Sequence, residues 1–140
     1  MIAMRRRAAS LAALVMALLL LAGCQGSPLP GGMEEEALLE AGRDVVLLLV
    51  GGDYEAVHAA LRPDVAETVA AEDIQSLVLQ QTDGAGVYKQ IESSMVTGQS
   101  SDGENYGVGV YYCQYARKKI LFRVAFDTGM QLIGLEVKKP

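Results

Sequence analysis

The chain has 140 residues, 12 of them basic and 17 acidic, and carries a net charge of −5. One domain is all that this length supports once a leader is set aside. The acidic balance excludes a phosphate-neutralising nucleic-acid surface.

The chain opens with Arg5, Arg6 and Arg7, and Ala8 to Gly23 then carries no charge. As a helix, sixteen residues cover about 24 Å, short of a hydrocarbon core of about 30 Å. A basic start, a short apolar core and small residues before a cut make a secretory leader. Leu21-Ala22-Gly23-Cys24 resembles the lipobox of bacterial lipoproteins. That resemblance implies cleavage between Gly23 and Cys24, a diacylglyceryl group on the Cys24 sulfur and a membrane anchor. The thiolate is the nucleophile that such a transfer needs. An ordinary secretory leader with an incidental Cys24 is the alternative. The triple arginine also suggests twin-arginine export, but no apolar residue follows the pair, so the general secretory route ranks first. Removing residues 1–23 takes the net charge from −5 to −8, which disfavours lying flat on anionic lipid.

Residues 24–33 follow as the lipidated Cys24 and a flexible tether, since "QGSPLPGGM" is rich in Gly, Ser and Pro and has no charge. The domain is expected over 34–140. Its first half reads as helical. "EEEALLEAGRDVVLLLVGG" opens on three glutamates that suit the helix dipole. Leu38, Ala41, Val45, Leu48 and Leu49 then share one face. Gly51-Gly52 stops this helix, and Asp53 caps the next, "YEAVHAAL", which Pro63 ends. A third helix, in "AAEDIQSLVLQQTDGAG", closes at Asp83-Gly84.

The second half changes period. "GVYKQIESSMV" reads as a strand. "NYGVGVYYCQY" alternates, with Tyr106, Val108, Val110 and Tyr112 on one face and Gly107, Gly109, Tyr111, Cys113 and Tyr115 on the other. "ARKK" turns into "ILFRVAF", and "DTGM" turns into "QLIGLEV". Consecutive strands with short turns make an antiparallel meander. Helices followed by a meander give an α+β fold, with the helices on one face of the sheet.

"ALLEAGRDVVLLLVGGDYEAVHAAL" resembles the opening of the nuclear-transport-factor-2-like fold, and "VYYCQYARKKILFRVAFDTGMQLIGLEV" is similar to its closing hairpins. Together they resemble the bacterial domain-of-unknown-function family 3887. The matching features are Gly52-Asp53-Tyr54, the aromatic strand around Cys113, Phe126-Asp127 and Gly134-Leu135. A departure stands at Met130, where the final hairpin would have its glycine. The resemblance implies a curved sheet wrapped around a long helix as an open cone. Members of that fold include isomerases, dehydratases and non-catalytic modules, so the fold does not name an activity.

The residues name no catalytic group, metal ligand or cofactor. His58 is the sole histidine, on a helix beside the Val57 face. With Cys24 lipidated, Cys113 is the remaining thiol, and its strand position suits a small core residue. Tyr54, Tyr106, Tyr112 and Cys113 are the candidates for a cavity or interface. Both faces of the central strands are apolar, and helices cover only one. The other face closes a cavity, meets a second copy or meets another protein. A membrane-anchored, non-catalytic binding or interaction module is the first reading. A small-molecule cavity enzyme of isomerase or dehydratase type is the alternative, using an acid with tyrosine hydroxyls.

Overall fold

The computed structural model describes residues 27–140. Helices α1 (Glu35–Val50), α2 (Tyr54–Ala60), α3 (Pro63–Ala66) and α4 (Ala71–Thr82) precede strands β1 (Tyr88–Ser101), β2 (Glu104–Tyr115), β3 (Lys119–Asp127) and β4 (Leu132–Lys138). The strands form one antiparallel sheet in the order β1-β2-β3-β4, with the helices packed against it. This is the α+β arrangement that the change of period implies.

The helix boundaries follow from local chemistry. Glu35 and Glu36 sit in the first turn of α1, where carboxylates offset the positive end of the helix dipole. Gly52 ends α1 at φ +79°, a conformation that costs glycine little. Asp53 then caps α2, its Oδ1 accepting from the Ala56 N–H at 3.2 Å. Pro63 does more than end α2. It occupies the first turn of the short helix α3, where its missing N–H has no partner to lose. Asp73 accepts from the Ala70 N–H at 2.8 Å and so fixes the start of α4.

Strand β1 runs five residues past the end expected at Val96. The reason is Asp102-Gly103, at φ 52° and 79°. Two consecutive left-handed residues match the twist of a two-residue hairpin, and they pair Ser101 with Glu104. At the final hairpin the left-handed residue is Met130, at φ +65°. The glycine that the turn geometry favours is absent, yet the conformation is kept.

Alternation divides the sheet into two sides. Tyr111, Cys113, Tyr115, Ile120, Phe122, Val124 and Phe126 join Leu38, Val45, Val46, Leu49 and Val57 in the main core. Tyr88 and Tyr115 meet edge to face there, with ring centroids 5.6 Å apart. Tyr111 sets how closely α1 approaches. It is fully buried, and its hydroxyl donates to the Leu39 carbonyl of α1 at 2.8 Å. A Cβ at Gly42 would lie 2.1 Å from that hydroxyl oxygen, and a Cβ at Gly109 would lie 2.6 Å from it. The ring fits because both positions are glycine.

The expected flexible tether needs correction from Ser27 onward. Ser27 N donates to Thr97 Oγ1 at 3.0 Å, and Gly98 N donates back to the Ser27 carbonyl at 2.9 Å. Leu29 and Met33 pack on the main core. A turn closed by Met33 N to the Pro30 carbonyl leads into α1. The close approach requires Gly98, whose added Cβ would fall 1.9 Å from the Pro28 carbonyl oxygen. Residues 27–33 are therefore a strap on the outer edge of β1, and the fold starts before Glu34. Residues 1–26, where the leader, the cleavage point and the lipidated Cys24 are expected, lie outside the described residues.

A glycine-to-alanine change inside an exposed helix adds about 1 kcal/mol of stability. At Gly42 the opposite sign is expected: Gly42→Ala lowers stability by about 1–3 kcal/mol through overpacking against Tyr111. Tyr111→Phe costs about 1 kcal/mol for its hydrogen bond. The double variant is expected to lose less than the sum, because removing the hydroxyl makes room for the methyl. Urea denaturation of the four proteins checks this.

Candidate functional site

The residues singled out from the sequence do not converge. Cys113 is fully buried in the main core, and Tyr54 packs against that core. Burial pushes the Cys113 thiol up to about 12, leaving almost no thiolate at neutral pH and no reactive character. Cys113 is a core residue rather than a cavity or interface group. Tyr106 and Tyr112 belong to the opposite side of the sheet.

On that side Tyr106, Val108, Val110, Leu121 and Ala125 form a second cluster, with Met95, Tyr112 and Ile133 packed against it. All eight lie on strands, and no described helix residue enters the cluster. The five central side chains are buried. The cluster is bordered by an ion pair, Arg123 Nη1 to Glu136 Oε1 at 2.7 Å, with both side chains about nine-tenths buried. Four polar atoms on this side are buried without a hydrogen-bond partner: Gln99 Nε2, Ser101 Oγ, Tyr106 Oη and Glu136 Oε2. Burial pushes the Tyr106 hydroxyl above its ordinary range. Unsatisfied buried groups of this kind cost stability wherever nothing pairs with them.

Arg62 is the polar centre that the sequence reading missed. It grips the Asp64 carboxylate with Nε and Nη2, at 2.7 and 3.0 Å. Its Nη1 also reaches Glu104, and it meets Asp127 Oδ2 at 3.1 Å. Its backbone N–H donates to the Leu132 carbonyl at 2.8 Å. Arg62 therefore ties the α2–α3 junction to the start of β2 and the end of β3 through its guanidinium, and to the start of β4 through its backbone. The Asp127 carboxylate also accepts from the Gly129 and Gln131 N–H groups, at 3.0 and 2.8 Å, and holds the final turn. Hydrogen bonding to Asp64 leads the effects that raise the Arg62 pKa, followed by Glu104 and Asp127. The same contact holds the Asp64 carboxyl below its ordinary range.

His58 is half-buried, and its Nε2 lies 3.1 Å from the Ala66 carbonyl oxygen and 2.8 Å from that of Val69. An Nε2–H shared between two backbone oxygens latches the segment after α3. That is a structural task on an accessible helix. Arg117 and Lys118 are exposed in the β2–β3 turn, and Lys119 pairs with Glu92 at 3.2 Å.

An open groove of about 480 Å³ lies beside the strap, lined by Ser27, Pro28, Gly98, Gln99, Ser100 and Asn105 among others. None of these side chains titrates. Among the described residues no group of His, Cys, Asp and Glu could hold a metal ion. The tyrosine hydroxyl that is hydrogen-bonded, Tyr111, donates to backbone carbonyls. No described helix is long and apolar enough to cross a membrane.

The fold and these clusters define a helix-backed antiparallel meander with one apolar side left to its own strands. The model of the family of proteins of unknown function DUF3887 matches residues 43–135, and the chain belongs to that family. An NMR structure of a protein from Ruminococcus gnavus ATCC 29149 has a similar fold. The two superpose with a TM-score of 0.67 at 21% identity, over 79% of this chain and 96% of that one. A search of the curated proteins gives no match.

The Arg62 centre carries a pH consequence. The folded pKa of Asp64 is depressed, so its contribution is present above the unfolded value of about 3.9 and is lost as pH falls through the folded value. Arg62→Met is expected to lower stability by about 1–3 kcal/mol at pH 7. It should also flatten the loss of stability below about pH 4. Urea midpoints of both proteins between neutral and acid pH measure this. Parallel acid limbs would show that Arg62 does not act through its carboxylates.

Proposed function

We propose that this protein is a lipid-anchored extracytoplasmic module that binds a partner through the second side of its sheet and performs no catalysis. The described fold is read further as a nuclear-transport-factor-2-like cone. The long α1 packed against an antiparallel meander supports this reading. The observation that carries the binding role is the second cluster, which is built from strand residues alone. Its central side chains are buried, half-buried Met95, Tyr112 and Ile133 surround them, and four buried polar atoms beside them lack a partner; a partner with matching donors and acceptors would satisfy those atoms. A second copy of the chain, sheet against sheet, is the simplest occupant, because an isologous contact needs one patch only.

Two experiments test this reading. Cys24→Ser is expected to block lipid attachment and release the protein from membranes. Unchanged membrane association would remove the anchor. Sedimentation of the processed, lipid-free chain is expected to show a dimer that dissociates on dilution. A strict monomer at the highest attainable concentration would exclude the second copy.

A further inference from the structure

We propose that the strap-bearing end of β1, from Thr97 to Ser101, is the end of the domain that faces the membrane, and that it rests against the lipid headgroups. The proposal builds on the lipid-anchored reading above and adds an orientation to it.

The reach of the chain is decisive. Had all of residues 25–33 been free, the tether would span about 30 Å, and the domain would sample every orientation. Instead Ser27 is fixed on both sides of its peptide, through Thr97 Oγ1 and the Gly98 N–H. Leu29 and Met33, half-buried, pack against the main core immediately afterwards. Only three Cα–Cα steps separate Cys24 from Ser27, a reach of about 11 Å at most. A lipid on Cys24 therefore holds the Thr97–Ser101 end of β1 within a headgroup layer's thickness of the bilayer.

The chemistry of that end suits the position. The groove beside the strap is lined by Ser27, Gln99, Ser100 and Asn105, which are uncharged and can hydrogen-bond. They can meet phosphodiester and ester oxygens without a desolvated charge. Lys and Arg are absent from the lining, so the contact does not depend on anionic lipid. The opposite end of the sheet is distant. Asn105 pairs with Ser100 near one end of β2, and Arg117 lies just past the other end. About ten residues of strand at 3.3 Å each put about 30 Å between them.

The chain contains no tryptophan, so single tryptophans can report depth. Ser100 and Arg117 are both exposed, and Ser100→Trp and Arg117→Trp should fold normally. Each lipoprotein is reconstituted in phosphatidylcholine vesicles containing a lipid with a headgroup nitroxide. Quenching is expected to be several-fold stronger at position 100 than at position 117. Inserting twenty Gly-Ser residues after Gly26 should abolish the difference. Equal quenching at the two positions with the native spacing would overturn the proposal. Failure of the native protein to float with vesicles would instead remove the anchor reading. The orientation is then read on the same variants coupled through Cys24 to a maleimide lipid, where equal quenching again overturns it.

Discussion

The placement of one tyrosine governs the packing of this domain. Tyr111 stands in the middle of β2 and drives its ring into the helical layer. It ends on a backbone carbonyl of α1. A hydroxyl carried so deep must find an acceptor, because an unpaired one would cost more than the contact contributes. The ring needs room on both sides, and Gly42 and Gly109 supply it. Sheet and helix are thereby set at one separation. The smaller side chains around them, Leu38, Val46, Phe122 and Val124, fill the space that this separation leaves.

Much of this architecture is legible in the sequence, and the parts that are not share a cause. Strict alternation from Tyr106 to Tyr115 is a local signal, and it sorts β2 onto two sides correctly. The Gly51-Gly52 stop and the Asp53 cap are also local. The strap is not legible, because its Ser, Pro and Gly composition is that of a linker. What docks it is the space above Gly98 and Gly107, some seventy residues away. Arg62 is obscure for the same reason. Asp64 is close in sequence, but Glu104 and Asp127 become neighbours only through the sheet. The Asp102-Gly103 signal is local and readable, and it accounts for the extra length of β1. Met130 shows the reverse: a turn can impose a left-handed conformation on a residue that does not favour it.

The two sides of the sheet are built differently, and this contrast frames the functional question. The helix side is a conventional core, closed by α1, α2 and α4. The other side is equally apolar at its centre but mixes in an ion pair and several hydroxyl and amide groups. A plain lipid-facing surface would have no use for Arg123 and Glu136 held together at 2.7 Å. A protein partner that offers matching donors and acceptors would. Among the described residues no tyrosine hydroxyl hydrogen-bonds a carboxylate, and the buried Tyr106 hydroxyl and Glu136 Oε2 both lack a partner. The Tyr111 hydroxyl is committed to the backbone, and Asp127 to a turn and to Arg62.

The strand order has a consequence for how the domain assembles. Every strand pairs with its neighbour in sequence, so the meander closes through short loops only. The costly closures are those that bring the start of the domain back, Ser27 to Thr97 and Leu39 to Tyr111, over 70 and 72 residues. Closure entropy rises only with the logarithm of loop length, and the strap and α1 are contiguous. A single return of the N-terminal segment therefore satisfies both contacts for one entropic cost. Folding is then expected to run from the C-terminal hairpins inward, with the strap the last to be seated.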